Sequence, residues 1–91
     1  MKRVVWRAQA LDDLETIVTY IADRNAPAAE RLHKAIEACA DLLAAHPLAF
    51  RPGRVTGTRE AVVHPNYILI YRVLADTVEI VSVVHARQQY P

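Results

Sequence analysis

The sequence predicts an α+β fold of order β-α-α-β-β-β, with a helical hairpin packed on one face of an antiparallel sheet. Apolar residues recur at helical period in two segments between Ala8 and Ala45. After Pro47 the chain turns to β-branched and aromatic runs divided by turn residues. A short β-prone run also precedes the first helical segment.

That first run, Lys2–Arg7 (KRVVWR), carries Val4, Val5 and Trp6 and reads as a strand. In the next segment Leu11, Leu14, Val18 and Ile21 recur at steps of 3, 4 and 3, with Ile17 beside them. This is the stripe of an amphipathic helix that starts at Ala8 and fades near Arg24-Asn25. Asp12, Asp13 and Glu15 lie in its early turns, where negative charge complements the helix dipole. Pro27 suits the first turn of a second helix, capped near Asn25 or Ala26. Leu32, Ile36, Cys39 and Leu43 form its stripe, and Pro47 disfavours helical geometry at His46. So short a connection makes the two helices an antiparallel hairpin.

Phe50-Arg51-Pro52-Gly53 contains a Pro-Gly turn signal. Strands are expected at Thr58–Val63, Tyr67–Leu74 and Thr77–His85, with turns at His64-Pro65-Asn66 and Ala75-Asp76. The first strand must cross the helical hairpin to join this C-terminal meander. The helices then cover one sheet face, and the other is expected to be free for a ligand or partner.

Ninety-one residues amount to one domain, residues 1–91, which buries only about 60–65% of its unfolded surface. Eleven Lys+Arg against ten Asp+Glu exclude a non-specific nucleic-acid coat and a polybasic membrane binder. The balance is uneven. Residues 1–47 hold six bases and seven acids, whereas residues 48–91 hold five arginines and three acids, with no lysine. Arginine's planar fork suits carboxylate and phosphate recognition. The single cysteine, Cys39, excludes an intrachain disulfide and reads as a small buried hydrophobe. The opening residues do not follow a signal-peptide pattern, and no run reaches the ~20 apolar residues of a membrane span. A soluble, cytoplasmic protein is expected.

Side chains alternate across a sheet. A tight hairpin at Ala75-Asp76 pairs Arg72 with Glu79. The expectation is therefore that Arg72, Glu79, His85 and Arg87 share the exposed face, with Glu79 neutralising Arg72, while Tyr71, Ile80 and Val84 face the helices. His85 and Arg87 near a strand end, with Tyr90 beyond them, fit three readings. They can move protons and stabilise phosphate charge, form a docking surface, or make a solvated strand end. His33, His46 and His64 have no metal-ligand spacing, there is no cysteine pair, and the two glycines make no phosphate-cradling loop. No metal or cofactor is expected.

The segments Arg54–Val63 (RVTGTREAVV), Asn66–Arg72 (NYILIYR) and Val78–Tyr90 (VEIVSVVHARQQY) resemble toxins of the RelE/ParE superfamily. Ala10–Leu14 (ALDDL) and Tyr20-Ile21-Ala22 are similar to that family's first helix. The resemblance spans almost the whole chain and implies the same β-α-α-β-β-β order. It also implies a toxin of a type II toxin–antitoxin system, neutralised by a ParD-like or RelB-like antitoxin. RelE-like members cleave messenger RNA in the ribosomal A site; ParE-like members bind and poison DNA gyrase. GTRE, YRV and HARQQYP are similar to the ParE branch, so a non-enzymatic gyrase inhibitor causing growth arrest is the first expectation. A RelE-like nuclease is the alternative, using Arg72, His85, Arg87 and Tyr90. Arg59, Arg72, His85, Arg87 and Tyr90 are the target-binding candidates on either reading. Trp6 and Tyr20 are the antitoxin-binding candidates, being large aromatics of the kind that anchor interfaces.

Overall fold

The computed structural model describes residues 1–88 and Tyr90. The elements run β1 (Arg3–Trp6), α1 (Ala8–Ala22), α2 (Ala26–Ala45), β2 (Arg51–Pro52), β3 (Arg59–His64), β4 (Tyr67–Val73) and β5 (Thr77–His85). The expected order holds, with one addition. The Phe50–Gly53 turn contains a two-residue edge strand, because Arg51 and Pro52 pair with Glu60 and Arg59.

Local chemistry accounts for the helix ends. Asn25 Oδ1 accepts the Ala28 N–H at 3.0 Å and so caps α2, with Pro27 in the first turn. The C-terminal end stops at His46, before Pro47. The α1 face that meets the core is Ala10, Leu14, Ile17 and Ile21. Leu11, placed on that stripe by its spacing, is half exposed at 51%.

The sheet order is β1-β5-β4-β3-β2. β1 runs parallel to β5, and the other neighbours are antiparallel. Both helices lie on one face. Their Leu32, Ile36 and Leu43 pack with Ala61, Leu69, Tyr71, Val78, Ile80 and Val83 from the sheet. Tyr71 is fully buried, and its hydroxyl donates to the Pro47 carbonyl at 2.7 Å, fastening the end of the helical layer to β4.

The face assignment of β5 needs correction. Arg72 does pair with Glu79, and Tyr71 with Ile80, but Ile70 pairs with Ser82. Val81 is therefore an extra residue, a bulge that inverts the alternation after it. Val83 joins the helix-side core, while Val84 joins Ile68 and Ile70 on the opposite face. His85, paired with Tyr67, lies on the helix side, not beside Arg72. The face opposite the helices is also not bare, since Ala86 and Tyr90 pack over Ile68, Ile70 and Val84.

β1 pairs only with Thr77–Ile80, so β5 has no strand neighbour on that side from Val81 onward. Asp13 of α1 takes the place of one. Its Oδ2 accepts the Val83 N–H at 3.0 Å and the Ser82 hydroxyl at 2.9 Å, while Gln9 donates to Oδ1 at 2.8 Å. Asp13→Ala should strand a half-buried backbone donor and cost about 1–3 kcal/mol. In a domain of this size that lowers Tm by at least about 4 °C. Asp13→Asn keeps an acceptor oxygen and should recover much of the loss; thermal melts of the two variants check this.

Candidate functional site

Two surfaces on opposite sides of the sheet carry the distinctive chemistry. On the face away from the helices, β3 places Glu60 opposite Ile70 and Arg51. The Glu60 carboxylate is buried, at 3% exposure for the residue. Its Oε1 accepts from Arg51 Nε at 3.2 Å and Nη2 at 2.9 Å. Its Oε2 accepts the Arg54 N–H at 3.1 Å and the Tyr90 hydroxyl. The Arg54 guanidinium lies 4.4 Å from the centre of the Tyr90 ring. Both oxygens are engaged, as a buried carboxylate requires. One glutamate thus ties together β2, the loop after it, β3 and the C-terminal segment.

On the helix side, α1 and the end of the sheet enclose a groove of about 350 Å³, lined by Thr16, Ile17, Tyr20, Tyr67, Val83 and His85 among others. The His85 ring meets Tyr67 edge-on, with centroids 5.4 Å apart. His85 Nδ1 accepts the Arg87 N–H at 3.1 Å, so the neutral ring carries its proton on Nε2. Tyr20 is 56% exposed at the groove's rim and lies under the Arg24 guanidinium, 3.7 Å from its centroid.

The sequence candidates do not converge. Arg72 is exposed and Tyr90 half-buried on the face away from the helices. His85 lines the groove on the other face. Arg59 sits opposite Tyr71 on the helix side, where its Nη1 donates to the Phe50 carbonyl at 2.7 Å. Arg87 is exposed in the turn after β5. Trp6 packs against the core, whereas Tyr20 projects outward. The expected Arg72–Glu79 neutralisation gives way to a different pair, for Glu79 bonds Arg7 Nη1 at 3.3 Å.

Sequence reasoning missed Glu60 and Asp13. Glu60 had a signal: it is the one acid in a strand otherwise read as buried, and Arg51, Arg54 and Arg59 precede it. Asp13 had none, because its role depends on where β1 ends.

Charge follows the two layers. Residues 8–45 carry seven acids and three bases. The face away from the helices gathers Arg3, Arg7, Arg51, Arg54 and Arg72 against Glu60 and Glu79, a surplus of three positive charges among the described residues. Its proton-active pair, Glu60 and Tyr90, is bonded to itself. Among the described residues no group of three or more His, Cys, Asp or Glu is placed to hold a metal ion. Nor is any helix there long and apolar enough to cross a membrane.

Residues 4–90 match the family described as the ParE toxin of the type II toxin–antitoxin system parDE. The chain is 43% identical to a candidate toxin of Sinorhizobium fredii, Y4kP, over 99% of this chain and 94% of that one. It is 40% identical to the toxin RelE2 of Caulobacter vibrioides, over 94% and 97% respectively. Among solved structures, a chain of the chromosomal ParDE system of P. aeruginosa superposes with a TM-score of 0.80 at 22% identity, over 93% of this chain and 96% of that one, a likeness of fold.

Two outcomes follow from the geometry. Glu60→Gln puts an amide N–H where the carboxylate accepted donors, so stability should fall by about 1–3 kcal/mol, as denaturant titration will report. Burial pushes the Cys39 thiol up from 9.0 to about 11. At pH 8 a disulfide reagent should therefore label native protein slowly and denatured protein at once.

Proposed function

The chain belongs to the ParE toxin family of type II toxin–antitoxin systems, and from that premise we propose that it arrests growth by binding DNA gyrase and that a cognate antitoxin neutralises it. The observation that carries the target assignment is the separation of His85 from Arg72 and Tyr90 on opposite faces of the sheet. Cleavage of a phosphodiester asks for a base, an acid and charge stabilisers within reach of one scissile bond. Here the floor between Arg72 and Tyr90 is Ile68, Ile70 and Val84, and Glu60 already holds four donors. Among the described residues this face offers no free base with which to open a phosphodiester, and that favours a binding role.

The antitoxin belongs on the other side. The groove between α1 and the sheet is apolar in lining and carries Tyr20 at its rim. An apolar helix or strand laid there would find an aromatic anchor and an acidic surround. Trp6 is the weaker of the two anchors, since it is partly buried in the core.

The alternative, a RelE-like ribosome-dependent nuclease, draws support from the relative named RelE2 and from the arginines on the sheet face. One pair of assays separates the two. Purified protein added to gyrase and relaxed plasmid should reduce supercoiling and accumulate cleaved DNA, and His85→Ala should do the same. In a translating extract, message ends should stay intact. Unaltered plasmid topology together with new message ends would transfer the assignment to the nuclease.

A further inference from the structure

We propose that the sheet face away from the helices is the surface by which this toxin docks on its target, and that it takes an acidic protein segment with Arg54 and Tyr90 at the centre of the contact. The proposal rests on the reading of the chain as a target-binding toxin, and it names the face and the chemistry of what is bound.

Charge complementarity gives the occupant its sign. Five arginines stand on this face against two glutamates, while the helical layer is acidic. An acidic partner is therefore drawn to one side and repelled by the other, even though the total charge is only +1. Arg72 is exposed, and its cross-strand neighbour Glu79 is bonded to Arg7. Among the described residues its guanidinium has no ion-pair partner, and it can take an incoming carboxylate.

The surface pattern favours a protein over a nucleic acid. A phosphate-tracking groove is positive along its length and gains its affinity from released counterions. This face has two carboxylates, an apolar floor, and exposed Val62 (54%) and Val5 (37%). Apolar patches interleaved with arginine and tyrosine are the composition of a protein interface.

Preorganisation identifies the centre. Arg54 is held by its backbone N–H to Glu60 Oε2 and by its guanidinium over the Tyr90 ring. Tyr90 is held by its hydroxyl on the same oxygen. Two side chains that usually lose freedom on binding are fixed beforehand, which lowers the entropic cost of contact. Glu60 is the positioning residue: buried, it touches no partner itself.

The test induces the full chain in cells and reads growth arrest, capture of the cognate antitoxin and inhibition of purified gyrase, with circular dichroism to confirm folding. Arg72→Glu and Arg54→Ala should each weaken arrest by at least about tenfold in inducer-matched protein, with antitoxin capture unchanged. Arg31→Glu, an equal charge reversal on α2, should arrest like wild type. Tyr90→Phe keeps the ring and should retain more activity than Tyr90→Ala. Arginine variants that arrest like wild type overturn the proposal, as does a wild type that arrests nothing. So does wild-type binding to a single-stranded RNA or DNA oligonucleotide that Arg72→Glu abolishes, which would make the occupant a nucleic acid. Arrest that depends on the arginines without any gyrase inhibition keeps the docking face and removes gyrase. Gyrase inhibition that survives in both variants keeps gyrase and removes the face.

Discussion

The pairing of β4 with β5 is the constraint on which the rest depends. These are the central strands, and every side chain on them is assigned to one face or the other by a register with period two. The extra residue at Val81 divides β5 into halves of opposite phase. Before it, Val78 and Ile80 close the helix-side core; after it, Val83 returns to that core and Val84 is released to the other face. Without the bulge, Val83 would leave the core and His85 would turn to the face that carries Arg72. One unpaired residue thus decides which face His85 occupies.

The bulge lies next to the place where β1 stops, and the two features share a remedy. A bulged strand end with no neighbour on one side leaves backbone groups without partners, and a bare edge invites another strand. Asp13 meets this by reaching from α1 to the Val83 N–H and the Ser82 hydroxyl. The same residue lines the groove between Tyr20 and His85. A local hydrogen-bonding debt is settled by the helix that also walls the candidate antitoxin site.

Much of the fold was legible because its signals are local. The helix stripes, Asn25 with Pro27, and Pro47 are each read within a turn or two of chain, and α2 begins and ends where they say. The strand positions follow from β-branched composition in the same way. The candidate site was less legible because it depends on register. Val81-Ser82-Val83-Val84 has a single polar residue, Ser82, and no pattern that shows which residue is the extra one. The assignment of His85 therefore inherited an unbroken alternation and came out on the wrong face. Tyr90 was grouped with His85, but its hydrogen-bond partner is Glu60, thirty residues away in sequence. Contacts of that range cannot be read from spacing. The arginine-only second half does have a spatial counterpart, since Arg51, Arg54 and Arg72 gather on one face.

Glu60 shows how a small chain reconciles charge with folding. A buried carboxylate costs stability unless its oxygens are engaged, and here the donors are drawn from β2, the following loop and the C-terminal segment. None of those three pieces has much core of its own: β2 has two residues, both exposed. The carboxylate supplies the fixed point that apolar burial does not. In holding Arg51 and Arg54 it also leaves their positive charge facing outward, since one anion answers two cations. The interaction that closes this side of the sheet is therefore the one that gives it its sign. Stability and surface charge on this face cannot be altered independently at Glu60, whereas at Arg72, which lies outside the network, they can.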